Sequence, residues 1–286
     1  MKHYILLHLA VILAGFTGIL GKVITLNEGL LVWYRVLFAS VFLFLILKLF
    51  VKNSRIRFSD QWEIVKVGML ITVHWIFFYG SIKYSNVSIG VVCYCLTGFF
   101  TSIFNPLIDR KKIQWIELML STLSVLGISL IFHFDTSYRT GIVLGIISSA
   151  LAALYTIYNA RLVKKYNNLT INFYQMLGGT VGLGLLLPFY LHFFPVERFI
   201  PALQDIFYLV LLSLFCTVGL YFALVEALKK VPVFTLNLSF NLEPIYSILL
   251  AFLFFNENKE VNLAFYIGLA IIIASVVLQT LRSIKK

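Results

Sequence analysis

Apolar residues in this chain come in long unbroken runs, not at every third or fourth position. Runs of about 20 residues recur from one end to the other, each long enough to cross ~30 Å of hydrocarbon as an α-helix. The pattern predicts ten helices, over residues 4–24, 30–51, 62–82, 87–107, 114–133, 141–162, 170–193, 206–228, 232–255 and 262–281. None has the charged outer face that a soluble amphipathic helix presents. The connections are short, leaving no room for a soluble domain. The opening stretch, MKHYILLHLAVILAGF, has no small-residue cleavage site followed by a polar mature chain, so it reads as a retained first helix and not a signal peptide.

Composition narrows the class further. Of the 286 residues, 60% are hydrophobic and 12% charged, with mean hydropathy +0.95. A soluble domain carries roughly 25% charged residues, so an integral membrane protein is expected. The net charge of +11 would suit a nucleic-acid partner in a soluble protein, but here the cations are placed by topology. With the N-terminus in the cytoplasm, Lys2, the Lys48–Arg57 group, Arg110 to Lys112, Arg161, Lys164, Lys165, Lys229, Lys230, Arg282, Lys285 and Lys286 fall on the inner side. Only Lys22, Lys83, Arg139, Arg198 and Lys259 fall outside. The positive-inside rule then places both termini in the cytoplasm of a multi-pass inner (cytoplasmic) membrane protein, with the lipid bilayer as partner and no nucleic acid needed. Cys93, Cys95 and Cys216 all lie within apolar runs and have no metal-ligand spacing, so they read as packing residues.

The two halves of the chain correspond. VWYRVL (32–37) aligns with NFYQML (172–177), matching Tyr34 to Tyr174 and Arg35 to Gln175. A shift of 146 sets SIKYSNVSIGVV (81–92) against ALKKVPVFTLNL (227–238), and Thr97-Gly98 against Glu243-Pro244. Five helices per half is an odd number, so the halves would have opposite orientations. The expected fold is therefore an all-α integral membrane protein of ten transmembrane helices, built as two inverted five-helix repeats over residues 1–135 and 136–286. Secondary transporters use this architecture, with the substrate site near the midplane at the repeat interface.

The segment YFALVEALKKVPVFTLNLSFNLEPIYSILLAFLFFNENKEVNLAFYIGLAIIIASVVL (221–277) resembles the EamA branch of the drug/metabolite transporter superfamily. The resemblance is carried by Leu-Glu-Pro in the ninth helix, Glu257 at the following turn and Gly268 in the tenth. Arg35 early in the second helix and the basic close of the sixth, YTIYNARLVKK, also fit. One departure is IDRKK at 108–112, where Asp109-Arg110 stands for the family's acidic-then-basic pair. The resemblance implies transport of small metabolites, often efflux of amino acids or related solutes, with no cofactor.

Polar residues at membrane depth are costly and need a partner or a task. Glu243 and Pro244 sit in SFNLEPIYS (239–247), within the ninth run. Proline interrupts the helical ladder and frees the carbonyl of Phe240, so the pair is a candidate for gating or proton coupling, or for a packing bond between repeats. His74, in ITVHWIFFYG, has an imidazole suited to proton or substrate handling, or to a structural hydrogen bond. Trp75 and Tyr79, four residues apart, are candidates to stack on a ligand. The fourth run presents Tyr94, Thr97, Gly98, Thr101 and Asn105 as a stripe of polar and small residues, the sixth Ser148, Ala152, Tyr155 and Asn159, and the ninth Asn237 and Asn241. These stripes point inward, as substrate contacts or interhelical hydrogen bonds. The candidate substrate site is thus His74, Trp75, Tyr79, Tyr94, Thr97, Tyr155, Asn159, Asn237 and Asn241. Arg35 is read as snorkelling, or paired with Glu28 or a carbonyl, the alternative being a counter-charge for an anionic substrate. Gly178 and Gly182 form a Gly-x-x-x-Gly, for close helix packing or a homodimer face.

The expected function is a secondary transporter, not an enzyme, that moves a small polar metabolite such as an amino acid by alternating access, in the efflux direction. The alternative is a membrane-embedded lipid-modifying enzyme. That reading needs a clustered acid, base or nucleophile near the interface, and the sequence shows only Asp109-Arg110 and His133 with Asp135.

Overall fold

In the computed structural model the residues described are 2–50, 56–110, 112–134, 136–220, 222–223 and 242–284. Helices fall on every predicted run. They are α1 (Lys2–Val23), α2 (Glu28–Phe50), α3 (Phe58–Lys83), α4 (Val87–Tyr94), α5 (Thr97–Asp109), α6 (Trp115–Phe134), α7 (Arg139–Leu162), α8 (Asn168–Phe193), α9 (Leu203–Ser213), α10 (Glu243–Phe255) and α11 (Leu263–Ile284). A π-helical turn, Leu214–Gly219, prolongs α9. No strand occurs among the described residues. Among the described residues six candidate spans meet the length and hydropathy needed to cross a bilayer: α1, α2, α3, α4 with α5, α7 and α8. The apolar stretches of α6, α9, α10 and α11 are shorter.

The helices pack side by side: α3 against α7 and α8, α2 against α8, α6 against α11, and α1 against α10. Large apolar side chains face outward as well as inward. Leu185 is 78% exposed, Leu253 73% and Phe189 68%, an outer surface suited to lipid and unsuited to water. Close approach depends on glycine at several seams, among them α6 with α11 and α3 with α8. A Cβ at Gly268 of α11 would lie 2.6 Å from the carbonyl oxygen of Gly127 on α6, and the reverse is also 2.6 Å. On α8 a Cβ at Gly178 would meet Val65 at 2.7 Å, and one at Gly182 would meet Met69 at 2.5 Å. The Gly-x-x-x-Gly therefore packs α8 on α3.

The run predicted as one fourth helix is broken at Cys95 and Leu96, and α5 restarts at Thr97. The described part of the ninth run begins at Leu242, with α10 starting at Glu243. Pro244 therefore lies in the first turn of α10, where its missing N–H leaves no helical bond unmade. Both α5 and α10 are 13 residues long. They end in the two left-handed non-glycine residues of the described chain, Arg110 (φ 53°) and Asn256 (φ 55°). Starts and ends both keep the 146-residue offset seen in the sequence.

One end of the bundle is tied by buried carboxylates. Glu257, fully buried, accepts from Lys22 Nζ (2.8 Å) on α1. It also accepts from the Val87 and Ser88 amides (2.9 and 2.8 Å) and Ser88 Oγ (2.6 Å) at the start of α4. An anion is stabilised there by the free amides and dipole of the helix N-terminus. Asp205, 2% exposed, accepts from the Thr25 amide (2.8 Å) and hydroxyl (2.6 Å) in the α1–α2 loop. Lys83 donates to the Ile24 carbonyl at 2.8 Å. At the opposite end Arg161 pairs with Asp109, and Lys165 pairs with Glu63 at 2.9 Å.

Candidate functional site: a polar cavity in the bundle

Between the two ends lies a cavity of about 170 Å³. Arg35 of α2 brings a positive charge to it, and Glu243 of α10 an ionisable carboxyl. His74, Trp75, Phe78, Tyr94 and Tyr155 form an aromatic wall from α3, α4 and α7. Ala14 and Thr17 of α1, Ile71 of α3, Ala152 and Thr156 of α7, Cys216 of the π-helical turn and Leu220 complete the lining. Every contributing helix is apolar on most of its surface, so the convergence of these groups is a product of helix packing.

Arg35 is 2% exposed and does not snorkel. Its Nε donates to Thr217 Oγ1 (3.1 Å), one terminal nitrogen donates to Tyr79 Oη (2.6 Å), and the other reaches the Cys216 carbonyl (3.5 Å). The guanidinium lies over the Trp75 ring, 3.8 Å from its centroid, an attractive placement for a planar cation. Glu28, one of its expected partners, instead accepts from Tyr190 Oη at 2.9 Å; the expected bond to a carbonyl is present, to Cys216. The π-helical turn sets Thr217 and Cys216 in place, and such one-turn π segments are frequent at functional sites.

His74, 4% exposed, places Nδ1 2.9 Å from both the carbonyl and the hydroxyl oxygen of Ser148 on α7. When Nδ1 carries the proton it donates to the carbonyl, which leaves Nε2 as the acceptor nitrogen. The imidazole centroid is 5.6 Å from the Tyr94 ring and 6.0 Å from that of Phe78. Glu243 is half-buried and its carboxyl has no hydrogen bond or ion pair among the described residues.

Of the residues predicted for the site, the cavity brings together His74, Trp75, Tyr94, Tyr155 and Glu243. Tyr79 lies behind the lining, fully buried, and orients Arg35. Thr97, the first residue of α5, turns back across the break and donates to the Tyr94 carbonyl at the end of α4 at 2.7 Å. Asn159 accepts from Gln175 Nε2 at 2.9 Å, and Gln175 Oε1 accepts from Tyr155 Oη at 3.4 Å. Asn237 and Asn241 lie outside the described residues. Phe78, Thr17 and Thr156 also line the cavity without a role expected from sequence, as does Cys216, expected to be a packing residue. Phe78 carries the same helical spacing signal as His74 and Trp75, four and three positions on, and Thr156 follows Ala152 by four in the polar stripe of the sixth run, whereas Thr17 and Cys216 lie on runs with no distinguishing pattern. Among the described residues no group of three His, Cys, Asp or Glu side chains is placed to hold a metal ion.

Comparison with known proteins identifies the family. The family model described as the EamA-like transporter family matches the chain twice, over residues 1–133 and 139–281. An uncharacterized transporter of Haemophilus influenzae is 23% identical over 275 residues, covering 90% of this chain and 86% of the relative. One from Clostridium kluyveri is 24% identical over 232 residues, covering 78% and 73%. One from Archaeoglobus fulgidus is 26% identical over 191 residues, covering 66% and 68%. A solved crystal structure with 15% identity superposes with a TM-score of 0.65 and covers 98% of each chain, which speaks to the fold alone.

Proposed function

The chain belongs to the EamA-like transporter family and is a multi-pass membrane protein, and on that premise we propose that it is a secondary transporter that carries a small polar metabolite out of the cytoplasm by alternating access. The observation that carries this reading is the cavity itself. Its wall is drawn from both segments matched by the family model, with Arg35, His74, Trp75 and Tyr94 from the first and Tyr155, Cys216 and Glu243 from the second. A site shared between two halves changes access when one half rocks against the other.

In this reading residues 1–135 and 136–286 are two inverted five-helix repeats, ten spans in all, and the shared 146-residue offset of α5 and α10 supports the pairing. The end carrying Asp109, Arg110, Lys112, Arg161, Lys164 and Lys165 faces the cytoplasm of the inner membrane, with both termini, by the cation asymmetry. The Glu257 and Asp205 end is then the outer one. Its bonds bridge the two halves and must part or move as a body when the outer side opens. Glu243, on the cavity without a hydrogen bond among the described residues, is placed to exchange a proton with the solute or with cavity water.

Overexpression of the protein beside its Glu243→Gln variant, with mass-spectrometric profiling of the medium, tests this. A small polar solute enriched at least several-fold with the wild type alone is the expected result. Identical profiles, together with no solute counterflow in proteoliposomes, would sink it.

A further inference from the structure

Resting on the transport reading, we propose that Arg35 is the receptor for a carboxylate on the transported solute, so that the cavity selects small organic monocarboxylates about the size of a single ring or smaller. The first ground is charge. Arg35 is a buried cation without a carboxylate in ion-pair contact among the described residues. A buried charge is costly unless an opposite charge and hydrogen bonds compensate it. A solute anion entering the cavity would supply that charge.

The second ground is donor geometry. The guanidinium has five N–H groups. Thr217, Tyr79 and Cys216 take one from Nε and one from each terminal nitrogen. One N–H on each terminal nitrogen remains to donate to a solute carboxylate, a group that guanidinium binds through paired N–H···O contacts. Trp75 beneath the plane and Tyr79 at its edge hold the fork in one orientation before any solute arrives, so little entropy is lost on binding. The aligned position on α8 is Gln175, a neutral side chain already bonded to Asn159 and Tyr155, so the site is built around a single fixed cation.

The remaining lining sets the size and the number of charges. A cavity of about 170 Å³ is close to the ~150 Å³ of an apolar cavity that holds benzene, and the facing rings of Phe78, Tyr94 and Tyr155 suit an apolar or planar body. Among the described residues Arg35 is the one guanidinium on the cavity and Glu243 adds no cationic partner, so a second carboxylate on the solute would meet no counter-charge. The binding class is therefore one carboxylate on a small body, with an amine tolerated near Glu243 and not required.

The test uses the purified full chain and acid–amide pairs of matched shape: benzoate with benzamide, isobutyrate with isobutyramide, and phenylalanine with phenylalaninamide. Titration calorimetry measures affinity, and counterflow in proteoliposomes measures transport. At least one acid should bind about tenfold or more tightly than its amide, the scale of a charge-assisted bidentate contact, and Arg35→Met should abolish that difference. The wild-type comparison stands by itself if the variant does not fold. Amides bound as well as acids, or an acid preference unchanged in folded Arg35→Met, would overturn the assignment to Arg35. Counterflow of neutral solutes without any acid preference would remove this inference and leave the transport reading intact. Absence of counterflow for every acid and amide would remove both.

Discussion

Glu243 and Glu257 stand at opposite ends of α10, and their surroundings differ in almost every respect. Glu257 is fully buried and receives an ammonium, two backbone amides and a hydroxyl, all within 2.9 Å. Glu243 is half-buried on the cavity and receives none among the described residues. A saturated carboxylate is committed to the native arrangement, since every lone pair it offers is already engaged. An unsaturated one keeps its capacity for a proton or a cation. The first joins α1, α4 and the turn after α10. The second faces the space where a solute would sit. Carboxylates in one short region can thus serve architecture and chemistry separately, and the hydrogen-bond inventory tells them apart.

The largest effect that would sharpen this contrast is loss of Glu257. Glu257→Ala leaves the Lys22 ammonium and the first amides of α4 without their acceptor, and should lower the unfolding free energy by about 3–5 kcal/mol, read from thermal or denaturant unfolding in detergent. A loss under about 1 kcal/mol would show that the pair behaves like an exposed surface bridge and would break the contrast. Asp205→Ala removes two bonds to Thr25 next to exposed loop backbone, and should cost about 1–3 kcal/mol in the same measurement. Glu243→Gln should shift stability by less than about 1 kcal/mol, because no bond among the described residues is lost, while solute flux per folded molecule falls sharply. A large drop in stability with proportional loss of flux would move Glu243 into the architectural group beside Glu257.

The helical, membrane-spanning character was legible because it is local. Twenty or so apolar residues in a row favour lipid whatever surrounds them, and helices fall on all ten runs. The helix starts at the aligned dipeptides were legible in part. Glu243-Pro244 announces itself by proline chemistry, whereas its counterpart Thr97-Gly98 has no such marker and is read only through the alignment. Lys22 reads in sequence as one more interfacial cation, yet it pairs with a glutamate 235 positions away. Arg35 reads as a residue that would reach for water, for Glu28 or for a carbonyl; of these it takes only a carbonyl, that of Cys216, and it lies over Trp75 against the π-helical turn.

The order of residues along the chain sets the solvent each segment prefers, the number and place of the apolar runs, and which few polar residues are stranded among them. Which of those stranded residues meet depends on how the helices pack. The physical reason is that a run apolar on all sides carries little periodic signal for its rotation about its own axis. That rotation is set by contacts such as Gly127 on Gly268 and Gly178 on Val65, which depend on chain segments far apart. Turning α2 or α10 by a fraction of a turn would leave every apolar run as it is and separate Arg35 from Trp75, or Glu243 from the cavity.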